Sequence, residues 1–178
     1  MDRKILIFSD SHGYSKYMHK ALEMHSDAEM IIHLGDGSRD LSILFPEHTT
    51  APLLFIEGNG ESGGWVQIDR KHPPIENGFV KFDGKKIFAT HGHKYNVKSG
   101  LSNLISQGYE KGADIILFGH THQAFSQYIP AGTNLGLMGK TDRPLIIFNP
   151  GSIGSGPNYS FGLLSFSNGE VLPSHGRF

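Results

Sequence analysis

Five short apolar runs in this 178-residue chain stop abruptly at polar residues set among glycines, and this repetition constrains the fold more than any other feature. Residues 5–8 end in Ser9-Asp10-Ser11-His12-Gly13, and residues 30–34 in Gly35-Asp36-Gly37. Residues 53–56 end in Glu57-Gly58-Asn59-Gly60, residues 86–90 in His91-Gly92-His93, and residues 115–118 in Gly119-His120-Thr121-His122. Brief runs of apolar β-formers read as buried strands. Open α/β sheets collect their ligand sites at strand C-termini, so five such ends are expected to converge on one edge.

The rest of the chain fills in the architecture. Residues 14–25 carry Tyr17, Met18, Ala21, Leu22 and Met24 at roughly helical spacing, and residues 99–111 do the same with Leu101, Leu104, Ile105 and Tyr109, stopped by Gly112. Asp83-Gly84 joins the runs 79–82 and 86–90 as a hairpin, and Asn168-Gly169 joins 162–166 to 171–172. Further strands are expected at 66–68, 125–129 and 145–148, with a polar loop at 132–143. Alternating strand and helix first, then hairpins, gives an α/β or α+β layered sandwich of mixed sheets covered by helices. No repeat or linker divides it, so residues 1–178 are expected to form one domain.

Composition removes several classes. There is no cysteine, which excludes disulfides, zinc–thiolate sites and a catalytic thiol. A net charge of -1 offers no basic surplus for nucleic acid, although Lys85, Lys86, Lys94 and Lys98 leave room for a local basic groove. No apolar stretch approaches the roughly 20 residues that span a bilayer, and the first apolar run is too short for a signal peptide. A cytoplasmic protein without a membrane partner is the simplest expectation. The 23 glycines exceed the average share of about 7 %, and the histidines cluster beside them, which points to a metal site built from loops.

Asp10, His12, Asp36, Asn59, His91, His120 and His122 offer imidazole, carboxylate and carboxamide ligands. That mixture suits manganese, iron, nickel, cobalt or zinc and is too rich in nitrogen for a magnesium or calcium cage. In Asp10-x-His12 and His120-x-His122 the ligands sit two apart. Extended backbone would aim both at one ion, whereas a tight turn lets them reach two neighbouring ions. Seven candidates exceed the needs of one four-coordinate metal. If one carboxylate bridges, two ions about 4 Å apart form the clamp used for in-line displacement at phosphorus. Taken singly, Asp10 or Asp36 would be a cap and Asn59 a turn residue. Their joint occurrence at five strand ends carries the metal reading.

In order, spacing and context these motifs resemble the calcineurin-like metallophosphoesterases. The short chain, Thr90-His91-Gly92-His93 and Asn149-Pro150-Gly151-Ser152 are similar to the compact bacterial and archaeal phosphodiesterase branch, the YfcE type. The resemblance implies a four-layer αββα sandwich of two mixed β-sheets flanked by helices. It implies Asp10, His12 and His122 on a first metal, Asn59, His91 and His120 on a second, and Asp36 bridging them. It also implies two divalent ions, with manganese expected and nickel, iron or zinc as alternatives, and a homodimer in some relatives.

The implied function is phosphodiester hydrolysis, with a bridging hydroxide attacking phosphorus in line on a small-molecule phosphate ester. Many members carry histidine after the asparagine, where it binds phosphate and protonates the leaving oxygen; in the compact branch cysteine is common there. This chain has Gly60, followed by the acidic Glu61. Leaving-group protonation is therefore expected to pass to another group, with His93 the best candidate, or to go unassisted, with Asn59, Gly60 and His93 facing substrate. The alternative role for His93 is orienting His91. Rival functions are a phosphomonoesterase and a protein-interaction scaffold of the same fold, as in the retromer subunit; the intact ligand set argues against the scaffold.

Overall fold

The computed structural model describes residues 3–40, 49–61 and 75–178. Among these described residues, ten strands make two five-stranded mixed sheets. The first has the order β10-β9-β1-β2-β3, built from β1 (Arg3–Phe8), β2 (Met30–His33), β3 (Leu53–Phe55), β9 (Ser160–Ser167) and β10 (Glu170–Arg177). The second has the order β4-β5-β6-β8-β7, from β4 (Asn77–Phe82), β5 (Lys85–Thr90), β6 (Ile115–Leu117), β7 (Ala124–Ile129) and β8 (Leu145–Pro150).

Alternation along β1 explains the layers. Ile5 and Ile7 point into the inter-sheet core with Ile32, Leu34, Ile87, Leu117, Phe148 and Leu164. Leu6 and Phe8 point the other way, onto Met18, Ala21 and Leu22 of helix α1 (Lys16–Met24). On the outer face of the second sheet, Leu104 of α2 (Ser102–Glu110) packs with Phe88, Ile116 and Ile147. The order is helix, sheet, sheet, helix, as the resemblance implies. No helix among the described residues is long and apolar enough to cross a membrane.

Parallel pairing places the site. β1, β2 and β3 run parallel, as do β5, β6 and β8. The C-terminal ends of each triplet therefore lie along one edge, and every polar cluster follows one of these ends. The hairpin turns form as their sequences dictate: Asp83 and Gly84 have φ of 49° and 77°, Asn168 and Gly169 of 52° and 80°.

Some expectations needed adjustment. The second helix starts at Ser102, not 99. The final strand runs eight residues to Arg177 instead of covering 171–172 alone. Pro173, Ser174 and Gly176 conceal it in the sequence, but an edge strand tolerates proline. The strand expected at 66–68 lies outside the described residues. The loop 132–143 contains a short 3-10 turn, Gly136–Met138, and is tied by backbone pairing of Asn134 with Lys140.

Gly162 of β9 packs directly against Phe148 and Pro150 of the other sheet. A Cβ there would lie 2.4 Å from Phe148 Cε1 and 3.2 Å from Pro150 Cβ, in a core where the ring has nowhere to retreat. Strand propensity alone favours valine over glycine at this position. We expect the reverse: Gly162→Val lowers stability by about 1–3 kcal/mol through overpacking, read as a fall in the urea midpoint. An unchanged or raised midpoint would contradict this account of the sheet interface.

Candidate metal centre

The strand ends bring the ligand loops into direct contact. Asp10 donates its N–H to the Gly35 carbonyl at 2.9 Å and His12 to the Asp36 carbonyl at 2.9 Å, joining the first two loops. Gly119 N–H bonds the His91 carbonyl at 3.0 Å, joining two loops of the second sheet. Asp10, His12, Asp36, His120 and His122 all adopt left-handed backbone, with φ between 49° and 65°. For residues with a Cβ this conformation costs roughly 1–2 kcal/mol each. It also settles the spacing question left open by the sequence, because each His-bearing pair sits in a turn and not on extended backbone.

Asp10 is the centre of the cluster and is fully buried. Its Oδ2 accepts from Ser9 Oγ at 2.6 Å and from His120 N–H at 3.1 Å. Its Oδ1 is buried with no aligned donor, although His122 Nε2 lies 3.3 Å away and His12 Nε2 and His91 Nε2 each 4.0 Å away. Burial pushes this carboxyl up, but His122, His91 and Ser9 outweigh it and hold it below the ordinary range. The Asp10 carboxylate beside it in turn raises His122 against the effect of its burial.

The ring nitrogens crowd in pairs. His12 Nε2 and His122 Nε2 are 3.2 Å apart, as are His91 Nε2 and His120 Nδ1. His91, fully buried, gives its Nδ1 proton to the Leu34 carbonyl at 2.7 Å. Its Nε2 faces Asn59 Oδ1 at 3.2 Å and Asp36 Oδ2 at 3.6 Å. Burial, His91 and Lys98 push His120 down to about 4, so it presents a lone pair at neutral pH. Imidazole nitrogens and carboxylate oxygens converging in so small a space are what a divalent cation requires. Asp10, His12 and His122 offer ligand atoms within 4.8 Å of one another, and so do Asp10, Asp36 and His91. Asp10 is common to both groups. One end of the centre is sealed by Asp10 and His91; the other opens through the exposed His12 and His122.

His93 sits beside the cluster, its ring centroid 5.4 Å from that of His91 and 6.2 Å from that of His120. It does not hydrogen-bond His91, which Leu34 orients instead. Its Nδ1 is buried with no partner, and burial followed by His91 and Lys94 lowers its proton affinity. Gly60 contributes through its backbone, its N–H donating to Asp36 Oδ1 at 2.7 Å. A Cβ at this position would lie 2.9 Å from that same oxygen. Glycine here brings a main-chain donor close to Asp36. The neighbouring residues 62–65 lie outside the described residues. Lys94 is paired with Glu76 at 2.9 Å and Lys86 reaches the Lys111 carbonyl, so the four lysines do not line one groove.

Several residues support the site in roles that the sequence did not reveal. Glu61 accepts four backbone N–H groups: Asp36 at 2.8 Å, Gly37 at 2.6 Å, Ser38 at 3.0 Å and Gly58 at 2.6 Å. It thereby fastens the Asp36 loop to the Asn59 loop. Asn149 holds Gly119 through its carbonyl at 2.9 Å and Thr121 Oγ1 at 3.1 Å, and Ser152 Oγ bonds the Asp10 carbonyl at 2.7 Å. His33, fully buried, accepts from Gly35 N–H at 3.2 Å and lies 3.3 Å from Ser11 Oγ; burial pushes it down to about 4, so it stays neutral. A carboxylate two residues after an expected ligand was the available signal for Glu61.

Comparison with known proteins agrees with this geometry. Residues 4–169 match the calcineurin-like phosphoesterase superfamily domain. A probable metallophosphoesterase of Bacillus subtilis is 32 % identical over 150 residues, covering 84 % of this chain and 74 % of the relative. A phosphodiesterase of Methanocaldococcus jannaschii is 30 % identical over 128 residues, covering 67 % and 74 %. Among solved structures, an archaeal phosphodiesterase superposes with a TM-score of 0.71 at 21 % identity, covering 98 % of this chain and 99 % of that one. Vacuolar Protein Sorting 29 of Cryptosporidium parvum also gives 0.71, at 15 % identity and 99 % and 98 % coverage. These last two likenesses concern the fold.

The Glu61 clamp generates a test. Glu61→Gln keeps the shape but turns one acceptor oxygen into a donor facing N–H groups. We expect a loss of about 1–3 kcal/mol in stability and a 10–100-fold loss in manganese affinity, measured by denaturant melts and calorimetry. Wild-type affinity in this variant would show that the clamp does not position the ligand loops.

Proposed function

The chain belongs to the calcineurin-like phosphoesterase superfamily, and we propose on that footing that it is a phosphodiesterase working with two divalent ions, manganese foremost. The observation that carries the reading is Asp10 Oδ1, a buried carboxylate oxygen without an aligned donor, ringed by imidazole nitrogens. An isolated buried charge costs several kcal/mol unless compensated, and divalent cations would compensate it here.

Asp10, His12 and His122 would hold one ion and Asn59, His91 and His120 the other, with Asp36 available to both. Asp36 fits the shared position because the Gly60 N–H occupies Oδ1 and leaves Oδ2 facing His91. The ions supply a hydroxide nucleophile at neutral pH and neutralise charge on the phosphoryl oxygens. The protein's own part is positional. Leu34 fixes the His91 tautomer, Ser9 turns Asp10, and Glu61 holds two loops together, so the ligands are in place before substrate arrives. Substrate enters by the open end, beside His12 and His122.

His93 is the proton donor to the leaving oxygen. Burial, then His91 and Lys94, lower its proton affinity, and an approaching phosphate anion favours the protonated form that can donate. The rival scaffold reading rests on the fold shared with Vacuolar Protein Sorting 29, and a phosphomonoesterase remains the nearest alternative enzyme.

The test uses one variant and two substrates. Manganese-loaded protein is expected to hydrolyse bis(4-nitrophenyl) phosphate, to prefer it over 4-nitrophenyl phosphate, and to lose the activity on chelation. His93→Ala should slow an unactivated alkyl diester by about 100-fold or more while slowing the nitrophenyl diester only a few-fold, because nitrophenolate leaves without a proton. Equal losses would remove the general-acid role. No turnover of any ester by the metal-loaded chain would sink the enzyme reading in favour of the scaffold.

A further inference from the structure

A groove of about 430 Å³ opens between the approach to α2 and the start of β7. Val97, Leu101 and Phe125 form its apolar wall and the buried Phe118 contributes beneath them; Phe125 meets Phe118 edge-on, with ring centroids 6.1 Å apart. Lys98 and Gln123, both exposed, supply its polar rim. Thr121 also lines the groove and stands between His120 and His122, so the groove is continuous with the ligand loop. A second cavity, about 360 Å³ beside Lys85, Ile115 and Ile146, lies at the opposite ends of those strands and has no such connection.

The charge pattern selects an occupant. Lys98 shares the lining of this groove with Thr121, the residue between His120 and His122. It has no ion pair among the described residues. An anion held at the metal centre therefore meets a free cation on the groove side, while the wall beyond it is apolar and half aromatic. A simple alkyl ester would leave that wall in water; a flat ring would cover it.

We propose that this groove is the subsite for the aromatic arm of a phosphate ester, an aryl group or a nucleobase, whose phosphoryl group lies at the metal centre. The proposal rests on the phosphoesterase reading above. The ring lies against Phe125 and Leu101, Lys98 faces the phosphoryl charge, and the Gln123 carboxamide serves a polar edge of the ring. Stacking of this kind makes an aromatic arm bind roughly tenfold more tightly than a methyl arm.

Binding of unreactive ligands to the manganese-loaded chain, followed by calorimetry, tests this. Methylphosphonate, benzylphosphonate and thymidine 5′-phosphorothioate share an anionic head and differ in the arm. At least one aromatic ligand is expected to bind roughly tenfold more tightly than methylphosphonate, and which one does so separates an aryl from a nucleobase arm. Phe125→Ser should reduce the preference to about twofold or less, Phe125→Tyr should retain it, and methylphosphonate should bind both variants like the wild type. Leu101→Ser serves as a second wall variant if Phe125→Ser does not fold, as judged by its melting curve. Equal affinity for all three ligands, or a preference that survives loss of the wall, overturns the subsite and leaves the phosphoesterase reading standing. Failure of every ligand, methylphosphonate included, overturns both.

Discussion

The buried carboxylate of Asp10 is the constraint on which the rest of the site depends. It sits at the end of a central strand, flanked on one side by β2 and on the other by β9, with no exposure to water. Such a group is tolerable only if its charge is answered locally. Ser9 and the His120 amide answer one oxygen. The second has no aligned donor among the described residues and is faced by the imidazoles of His122, His12 and His91. The fold thus concentrates negative charge and lone pairs where water cannot relieve them, and a metal cation is the economical resolution.

The backbone carries a matching tension. Five of the seven expected ligands stand in left-handed turns, a conformation that residues with side chains avoid. Such strain persists only where the surroundings over-determine it. Here they do: inter-loop amide bonds at Asp10, His12 and Gly119 fix the turns from both sheets, while Glu61, Asn149 and Ser152 fasten the loops to one another. The parallel triplets β1-β2-β3 and β5-β6-β8 are what allow ends so far apart in sequence to share these bonds.

Much of this was legible from the chain alone, for a physical reason. Buried strands are short apolar runs, and the ligands follow immediately after them, so Asp10, Asp36, Asn59, His91 and His120 announce themselves by position. The strand β10 was largely concealed because an edge strand needs neither continuous apolar residues nor every backbone donor, and Pro173 and Gly176 are permitted there. The role of Glu61 was concealed because its partners are main-chain amides, which carry no residue-type signal and lie up to 25 positions away. The value of Gly60 was misleading as a bare absence of a side chain. What matters is how closely its N–H approaches Asp36, and that distance exists only in three dimensions.

The central claim is that these loops form one centre for two ions, with carboxylates shared between them. Manganese titration followed by electron paramagnetic resonance tests it most directly. The account predicts two equivalents bound per chain and a spectrum of two exchange-coupled ions. A single equivalent with the signal of an isolated ion, or no binding at all, would contradict it.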